Sequence, residues 1–569
     1  MATYGSGIYG SGMYGTQGAR SMTTTFGYPG VFASEQLQAP TPASNQTLGS
    51  PSVAAFLGEW WRGPTVPVMC NNWNDFVTYF GGFNTNGTPV LSNPYLGYAV
   101  YEFFSNGGAT CWVSRLTNSI SGGTSATVNL LDSEGGATPQ ATLTLTVGSL
   151  GVEGNAGTWG NDVYVNVTPS NNNYLGISRF NISVYYNPAG TGISAQTLVE
   201  TWADLSMVVT DARYVVSIIN SSSSGSRWIF ATDLFDAVGA PQNVPIAVTT
   251  ALMGGTDSLT PSNTDYVTAL TYGSTPSVSP LVFPAPFDNV GGQLNINVPG
   301  MSDQTVLTAA IGYAADRPSS FLVIDPPIAT TPAALVQSGG FIQSLTPSQS
   351  SYCAVYYPWL SAQNPASASL LNTIMLPPGG FILGQMAQID VVTGPWVAPA
   401  GTNTVLRNVV SAERAFAPSD LSALTEYNVN ALRTQSNGTV LIWGTRTQNQ
   451  GFATKYVPVR RTLDYIEAQL TRLLEYAIFQ PNDAQLWQSI TGTCNQFLGN
   501  MLSHNAFPSS SQAASYYVIC SNQNNTAQSI SQGIVNTEVG VALLYPAEFI
   551  SLTISQFQTS GATTVTPAI

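Results

Sequence analysis

The sequence predicts a multidomain α+β protein, and three observations carry that reading. The chain has 569 residues, which at about 150 residues per domain allows roughly three to four domains. Its texture changes between about 119 and 199 to short period-two runs parted by Gly and Asn clusters. On either side, strand-like runs alternate with segments of helical spacing. A chain of this size can bury a large core without disulfides or metals.

Residues 1–50 read as an N-terminal arm. The stretch Tyr4-Gly-Ser-Gly-Ile-Tyr-Gly-Ser-Gly-Met-Tyr-Gly is a short repeat with too much glycine to offset the entropy of ordering. Thr23-Thr-Thr-Phe-Gly-Tyr-Pro-Gly-Val-Phe follows, with strand-forming residues. Residues 51–118 read as strand, helix, helix, strand. Val53-Ala-Ala-Phe-Leu-Gly is a buried-type strand, and Asn74 or Asp75 can cap a short helix ending at Gly81-Gly82. Leu96, Ala99, Val100, Phe103 and Phe104 recur at helical spacing until Gly107-Gly108. Cys111-Trp-Val-Ser-Arg-Leu returns as a strand.

Residues 119–199 form a β-rich module, a sandwich or small barrel, typified by Ala141-Thr-Leu-Thr-Leu-Thr-Val. Residues 200–412 alternate strands with helices. Strand 293–298, a helix from Gln304 to Ala315 capped by Asp303, and strand 321–325 predict a parallel pair. Tyr352-Cys-Ala-Val-Tyr-Tyr is a further strand. Residues 413–556 are helical and then β. Leu463, Ile466, Leu470, Leu473, Leu474 and Ala477 make one stripe; Pro481-Asn-Asp resets the chain and can cap a second helix. Leu486, Ile490, Cys494, Phe497, Leu498 and Met501 make a second. Ile534–Leu544 and Glu548–Phe557 read as two strands joined around Tyr545-Pro-Ala. Residues 557–569 form a C-terminal arm without a charged side chain. Two uncharged, β-prone ends can each add a strand to a neighbour's sheet edge; idle termini are the plain alternative.

Composition narrows the function. Charged residues are 8% of the chain, against about 25% in ordinary soluble domains, yet no apolar run approaches the roughly 20 residues of a membrane span. A surface so poor in charge suits a subunit covered by copies of itself. Net charge is −14, with Lys455 the single lysine and His504 the single histidine. That leaves no basic footprint for nucleic acid or for an anionic membrane. Cys70, Cys111, Cys353, Cys494 and Cys520 show no CxxC pair, so buried reduced thiols are expected and structural zinc is not. No signal-peptide pattern opens the sequence, consistent with synthesis and assembly in a cytoplasm.

Ordered blocks along the chain resemble the contractile bacteriophage tail sheath family. They include Pro29-Gly-Val-Phe, Phe80-Gly-Gly, Phe103-Phe-Ser-Asn-Gly-Gly, Gly157-Thr-Trp-Gly-Asn-Asp, Ala354-Val-Tyr-Tyr-Pro-Trp-Leu and Gly394-Pro-Trp-Val-Ala-Pro-Ala. Towards the C-terminus come Val440-Leu-Ile-Trp-Gly-Thr-Arg-Thr, Arg460-Arg-Thr-Leu-Asp-Tyr-Ile-Glu, Ala477-Ile-Phe-Gln-Pro-Asn-Asp and Glu538-Val-Gly-Val-Ala-Leu-Leu-Tyr-Pro-Ala-Glu-Phe. Three segments depart from the family pattern: Ser258 after Asp257, Pro378-Gly-Gly-Phe, and Ala387-Gln-Ile-Asp. Their local hydrogen bonding is the point in doubt.

The resemblance implies an inner α/β core built from N- and C-terminal parts, an inserted β-rich domain and a non-catalytic subtilisin-like α/β domain, plus extended terminal arms. It implies a homo-oligomer of hexameric rings stacked helically around a tail tube. Baseplate and tail terminator proteins are further partners, in a virion tail that contracts to drive the tube through a host envelope. No cofactor, direct nucleic-acid contact or membrane insertion is implied. The arms then supply the inter-subunit contacts, with Thr23, Thr25, Phe26, Val31, Phe32, Thr563 and Val565 as candidates. Val539, Val541, Phe549 and Leu552 are candidates for the acceptor hairpin. Arg460, Arg461, Glu467 and Arg472 form the densest charge cluster, a candidate contact with the tube or another subunit; a solvated helix face is the plain alternative.

An enzyme reading finds little support. A Ser-His-Asp hydrolase needs a histidine base, and His504 lies outside the α/β segment, at a helix end where capping is its ordinary role. Lys455 sits in what reads as a connector, with no Gly-x-Ser-x-Gly elbow nearby. A different self-assembling shell, a capsid or surface layer, would share the composition but not the ordered blocks. The sheath of a phage-derived injection device would share both.

Overall fold

The computed structural model describes residues 53–83, 91–132, 139–172, 178–188, 197–235, 244–271, 287–345, 347–367, 369, 371–549 and 551. The two arms, with Thr23, Thr25, Phe26, Val31, Phe32, Leu552, Thr563 and Val565, lie outside them.

The chain opens with β1 (Val53–Glu59), β2 (Val68–Cys70), α1 (Trp73–Phe80), α2 (Leu96–Ser105) and β3 (Cys111–Leu116). The cap of α1 is Asn72 rather than Asn74 or Asp75: its side chain accepts from the Asp75 amide at 2.9 Å. Asp75 returns the favour from inside the helix, accepting from the Asn71 amide at 2.9 Å. A carboxylate three residues into the helix can reach back past its start, which a first-residue reading misplaces.

The β-rich region follows, with β4 (Thr127–Leu131), β5 (Ala141–Ser149), β6 (Val152–Glu153), β7 (Val163–Pro169), β8 (Phe180–Tyr186) and β9 (Thr197–Leu205). After α3 (Val215–Ile219), β10 (Ile229–Asp233) returns to pair with β5, and β11 (Val248–Ala251) pairs with β7. These strands build two four-stranded sheets, β10-β5-β4 with β6 on β5, and β11-β7-β8-β9. The boundary expected at 199 is therefore too early. Residues 229–251 complete the sheets begun before it, and the bridge Thr124–Thr256 closes the region at its base. Alternation alone showed where the β texture is dense, not which later strands come back to it.

Next are α4 (Asn263–Ala269), β12 (Leu294–Asn297), α5 (Gln304–Asp316), β13 (Ser320–Ile324), α6 (Pro332–Val336), α7 (Phe341–Ser344) and β14 (Cys353–Tyr357). The predicted cap is present, with the Asp303 side chain accepting from the amides of Thr305 and Val306, and β12 and β13 pair in parallel. Then come β15 (Leu360–Gln363), β16 (Thr373–Leu376), α8 (Gly379–Val392), β17 (Val409–Ala412), α9 (Pro418–Glu426), β18 (Val429–Thr434) and β19 (Val440–Ile442). The chain finishes with α10 (Val457–Leu473), α11 (Ala484–Ser503), β20 (Tyr516–Ile519), α12 (Ala527–Ser531) and β21 (Glu538–Val541).

One eight-stranded sheet, ordered β19-β18-β14-β13-β12-β1-β3-β2, organises the molecule. Its six inner strands run parallel, and β19 and β2 close the edges antiparallel. Such a sheet must be covered on both faces, and β12, β13 and β14 read accordingly as fully buried runs. Residues 51–118 are thus not a separate core shared with the C-terminal helices. Val53–Phe56 lie in register with Leu294–Asn297 in the centre of this sheet. Two buried runs of parallel strand pair wherever their apolar faces match, and sequence order does not reveal that.

On one face, α2 and α8 cross in close contact. A Cβ on Gly380 would lie 2.4 Å from the Ala99 carbonyl oxygen, and one on Gly384 2.6 Å from that of Phe103. The departures noted in sequence keep their polar contacts. The Gly379 amide donates to Asp325 Oδ1 at 2.7 Å. Ser258 Oγ accepts from the Asn118 amide at 2.9 Å. Asp257 takes both the Thr158 amide and hydroxyl, each at 2.8 Å.

The β-rich module is fused to the sheet. A single apolar cluster runs from Phe56, Phe76 and Phe103 through Trp159 into Leu145, Val165 and Ile182. Across that junction the Arg62 guanidinium lies 3.7 Å from the Trp228 ring centroid and 4.3 Å from that of Trp159. Its Nη2 donates to the Thr78 carbonyl at 3.0 Å. Arg115 donates to the carbonyls of Trp60 at 2.7 Å and Ala156 at 2.8 Å.

Candidate functional site: the C-terminal helix pair and strand pair

α10 and α11 are two antiparallel-type amphipathic helices that carry the stripes read in sequence; α10 follows Tyr456 without a side-chain cap. Asp483 caps α11 through the amides of Gln485 and Leu486. Leu486, Ile490, Cys494, Phe497, Leu498 and Met501 are all buried. The pair encloses two small cores, one around Tyr465, Phe497 and Met501 with Trp396, the other around Trp487, Ile490 and Cys494.

α10 behaves differently along its length. From Val457 to Glu467 it is almost wholly buried, while Leu470 and Leu473 are half-buried against α11. The charge cluster expected at a tube or subunit contact sits in this buried half. Arg460 Nη2 donates to Asp464 Oδ1 at 3.1 Å with both side chains fully enclosed, and its guanidinium lies 4.8 Å from the Tyr352 ring centroid. Arg461 Nη2 pairs with Asp390 of α8, its Nε donates to Asn295 of β12 at 3.2 Å, and its carbonyl accepts from Gln293 Nε2 at 3.1 Å. Glu467 is also buried. Arg460, Arg461 and Glu467 are thus internal to the protomer and not on a face that meets a partner; the solvated-face alternative fails for them too. A fully buried ion is tolerable only when paired, and here Arg460 finds a carboxylate one helical turn away and Arg461 finds one on α8. Arg472 is exposed, with Nη2 on Gln469 Oε1 at 3.0 Å.

The strand read in Ile534–Leu544 pairs with an earlier segment, while most of the second expected strand, 548–557, lies outside the described residues. Val539 and Val541 stand on β21, which pairs antiparallel with β20, Tyr516 opposite Val541 and Ile519 opposite Glu538. Tyr516-Tyr-Val-Ile carried β-forming residues and was the signal missed. Residues 545–549 form no strand, and Phe549 is 78% exposed. Gly540 permits the pair: a Cβ there would lie 2.0 Å from Tyr517 Cε1. Tyr517 therefore crosses over its neighbour strand and donates to Glu538 Oε1 at 2.6 Å. Among the described residues β20 and β21 make a two-stranded sheet, so each has one edge without a strand partner there.

A second feature was not read in sequence at all. Glu548 is held by Arg446, Nη2 to Oε2 at 2.5 Å and Nε to Oε1 at 2.8 Å, and by the Tyr456 hydroxyl at 3.1 Å. The pair raises the Arg446 pKa, first through the hydrogen bond to Glu548. Tyr545 stacks on Phe452 at 5.5 Å and meets Tyr456 edge-on at 6.2 Å.

The residues weighed for catalysis lie apart from any such geometry. His504 follows α11 as its cap, exposed, with Nδ1 2.9 Å from the Asn500 carbonyl oxygen. Lys455 precedes α10, where residues 457–461 are helix rather than connector. Among the described residues no cluster of His, Cys, Asp or Glu could hold a metal ion. No helix there is long and apolar enough to cross a membrane. All five cysteines are buried and free.

In this chain residues 449–557, spanning α10 to β21 and the Glu548 contact, match the phage tail sheath C-terminal domain family. Its fold is similar to that of the sheath tail protein of Listeria innocua, at 13% identity over 88% of this chain and 96% of that one, with TM-score 0.53. It is also similar to a chain of the anti-feeding prophage baseplate in its contracted state, at 18% identity over 93% and 98% of the two chains, TM-score 0.52. A chain of the six-fold symmetrised baseplate of the same particle gives 19% identity, 94% and 100% coverage, and TM-score 0.51. No curated protein matches the chain.

Proposed function

We propose that this chain is the subunit of a contractile tail sheath. It polymerises as helically stacked hexameric rings around a tail tube, and it contracts to drive the tube through a host cell envelope for genome delivery. The observation that carries the reading is the sheath C-terminal domain at residues 449–557, joined to a charge-poor body suited to self-association. The protein acts without covalent chemistry. Its work is rigid-body movement between two packings of one set of interfaces, and the extended state persists behind a kinetic barrier. The parallel sheet and its helices are the non-catalytic subtilisin-like unit of such a subunit. Baseplate, tube and terminator proteins are its partners, and the virion tail is its place.

Linkage between subunits comes from the arms. Residues 23–32 and 563–565 add strands to the open edges of the β20–β21 pair of neighbours, with Val539 and Val541 at the acceptor. Main-chain hydrogen bonds give such a joint strength while the bodies turn.

Electron microscopy of the purified protein tests the assignment. Helical tubes of hexamer rings are expected; closed icosahedral shells or flat lattices would overturn it. Deletion of residues 1–35 or 557–569 should leave a folded monomer that builds no connected tube, and stable tubes from either truncation would sink the account of the arms. A hydrolase activity lost on His504→Ala would contradict the non-enzymatic reading.

A further inference from the structure

The last described turn of chain is tied to its own body, although β21 has already ended at Val541. After the Ala542 amide donates to the Ser515 carbonyl at 2.7 Å, the chain passes Leu543 and Leu544 and is caught again at Tyr545 and Glu548. The catch is the Arg446–Glu548 contact, whose side chains are 10% and 17% exposed. A carboxylate gripped by two guanidinium nitrogens and a phenol is held in direction as well as position. Arg446 is itself fixed: its Nη1 donates to the Thr425 carbonyl at 2.6 Å and its amide to Asn430 Oδ1 at 2.6 Å. The grip is thus rooted in the large sheet, through β18 and the turn after α9, and not in the small strand pair.

We infer that Glu548 is a positioning residue: its clamp on Arg446 fixes the point from which the C-terminal segment sets out towards a second copy of the chain. The inference rests on the sheath reading above and adds where the arm begins. From the clamp, residues 549–569 span at most about 70 Å, at roughly 3.3 Å per residue. Released from it, the chain is next held at Tyr545, by its ring contacts with Phe452 and Tyr456. The free stretch then grows by some three residues, or about 10 Å of reach, and its starting direction is lost. Slack of that size lowers the effective concentration of the arm at its intended acceptor and opens wrong ones.

The test uses full-length protein and three variants. Glu548→Ala removes the clamp. An insertion of three Gly/Ser residues between Phe549 and Phe557 leaves the clamp intact but adds the same slack. Glu548→Asp keeps a carboxylate. Monomer stability is read by urea unfolding, and assembly by tube yield, helical rise and twist in the electron microscope. The expected result is a normally folded Glu548→Ala monomer whose tubes are at least several-fold fewer or of altered rise and twist. The insertion should reproduce that defect, and Glu548→Asp should retain part of the wild-type yield. Wild-type tube parameters in both Glu548→Ala and the insertion would overturn the inference. So would a Glu548→Ala defect that the insertion fails to reproduce, which would make the clamp a fold contact only. Failure of the wild-type chain itself to form tubes would instead refute the sheath reading.

Discussion

Replacing Arg461 by methionine should destabilise the chain more than any surface change in the C-terminal domain. The Arg461 and Asp390 side chains are fully buried against one another, and Asn295 accepts from the same guanidinium. Arg461→Met therefore strands the Asp390 carboxylate in the interior and removes a donor from β12. Loss of one partner of a buried pair costs about 3–5 kcal/mol, whereas replacing both by apolar groups is often neutral or better. The double variant Arg461→Met with Asp390→Leu should accordingly recover most of the loss, giving a coupling energy of about 3 kcal/mol in a double-mutant cycle. Urea unfolding of the unpolymerised chain measures the four stabilities. Native-state hydrogen exchange locates the effect, with protection falling first in residues 457–467 and in β12. Single variants within about 0.5 kcal/mol of wild type, or a strictly additive double, would refute the argument that this pair joins α10 to the sheet.

Burial pushes the Glu102 carboxyl up to about 8, despite the hydrogen bond from Asn408. The folded chain then holds a proton that the unfolded chain, titrating near 4.5, has given up. Stability from this group is full below that value and is lost as pH rises through 8, by at most about 5 kcal/mol at roughly 1.4 kcal/mol per unit. Glu102→Gln should flatten the decline of the urea midpoint between pH 5 and 8.5, and an unchanged slope would contradict it. Gly380→Ala, driven into the Ala99 carbonyl, should cost about 1–3 kcal/mol through overpacking. Gly492→Ala on the open face of α11, where a Cβ meets nothing within 4 Å, should gain about 0.5–1 kcal/mol from helix propensity; thermal unfolding separates the signs. Arg62→Lys keeps the charge but loses the guanidinium's contacts with the Trp159 and Trp228 rings, so about 1–2 kcal/mol and new protease cuts around 116–121 are expected. Resistance equal to wild type would show that these contacts do not hold the junction.

The local grammar of this chain was legible and its long-range pairing was not. Asp303 and Asp483 announce their helices because a short acceptor before an apolar period has one use. The Leu486–Met501 stripe reads as a buried face for a similar reason. The eight-stranded sheet was hidden because parallel strands buried on both faces carry no period-two signature, so nothing marks β1 as the neighbour of β12. The charge cluster of α10 was read outward because arginines are rarely fully enclosed. What encloses them is Asp390 and Asn295, both distant in sequence. The departures at Ser258 and Pro378-Gly-Gly looked like lost polar contacts, whereas one supplies an acceptor and the other admits a neighbouring helix. β20 was missed because Tyr516-Tyr-Val-Ile is only four residues long, too short to outweigh the more apolar run at its partner.

The bridge between Thr124 and Thr256 bears on how the chain comes together during synthesis. β1 and β3 leave the ribosome long before β12, the strand that must lie beside β1, and the intervening chain would otherwise be one large loop. Once the β-rich module has formed, that bridge brings its entrance and exit together, so the span left to close shortens about fourfold and the entropic cost of closure falls by about 1 kcal/mol. Order of emergence then helps rather than hinders. The module completes itself first and delivers the later strands to the waiting earlier ones, sparing the nascent chain a prolonged exposure of bare parallel edges to other copies.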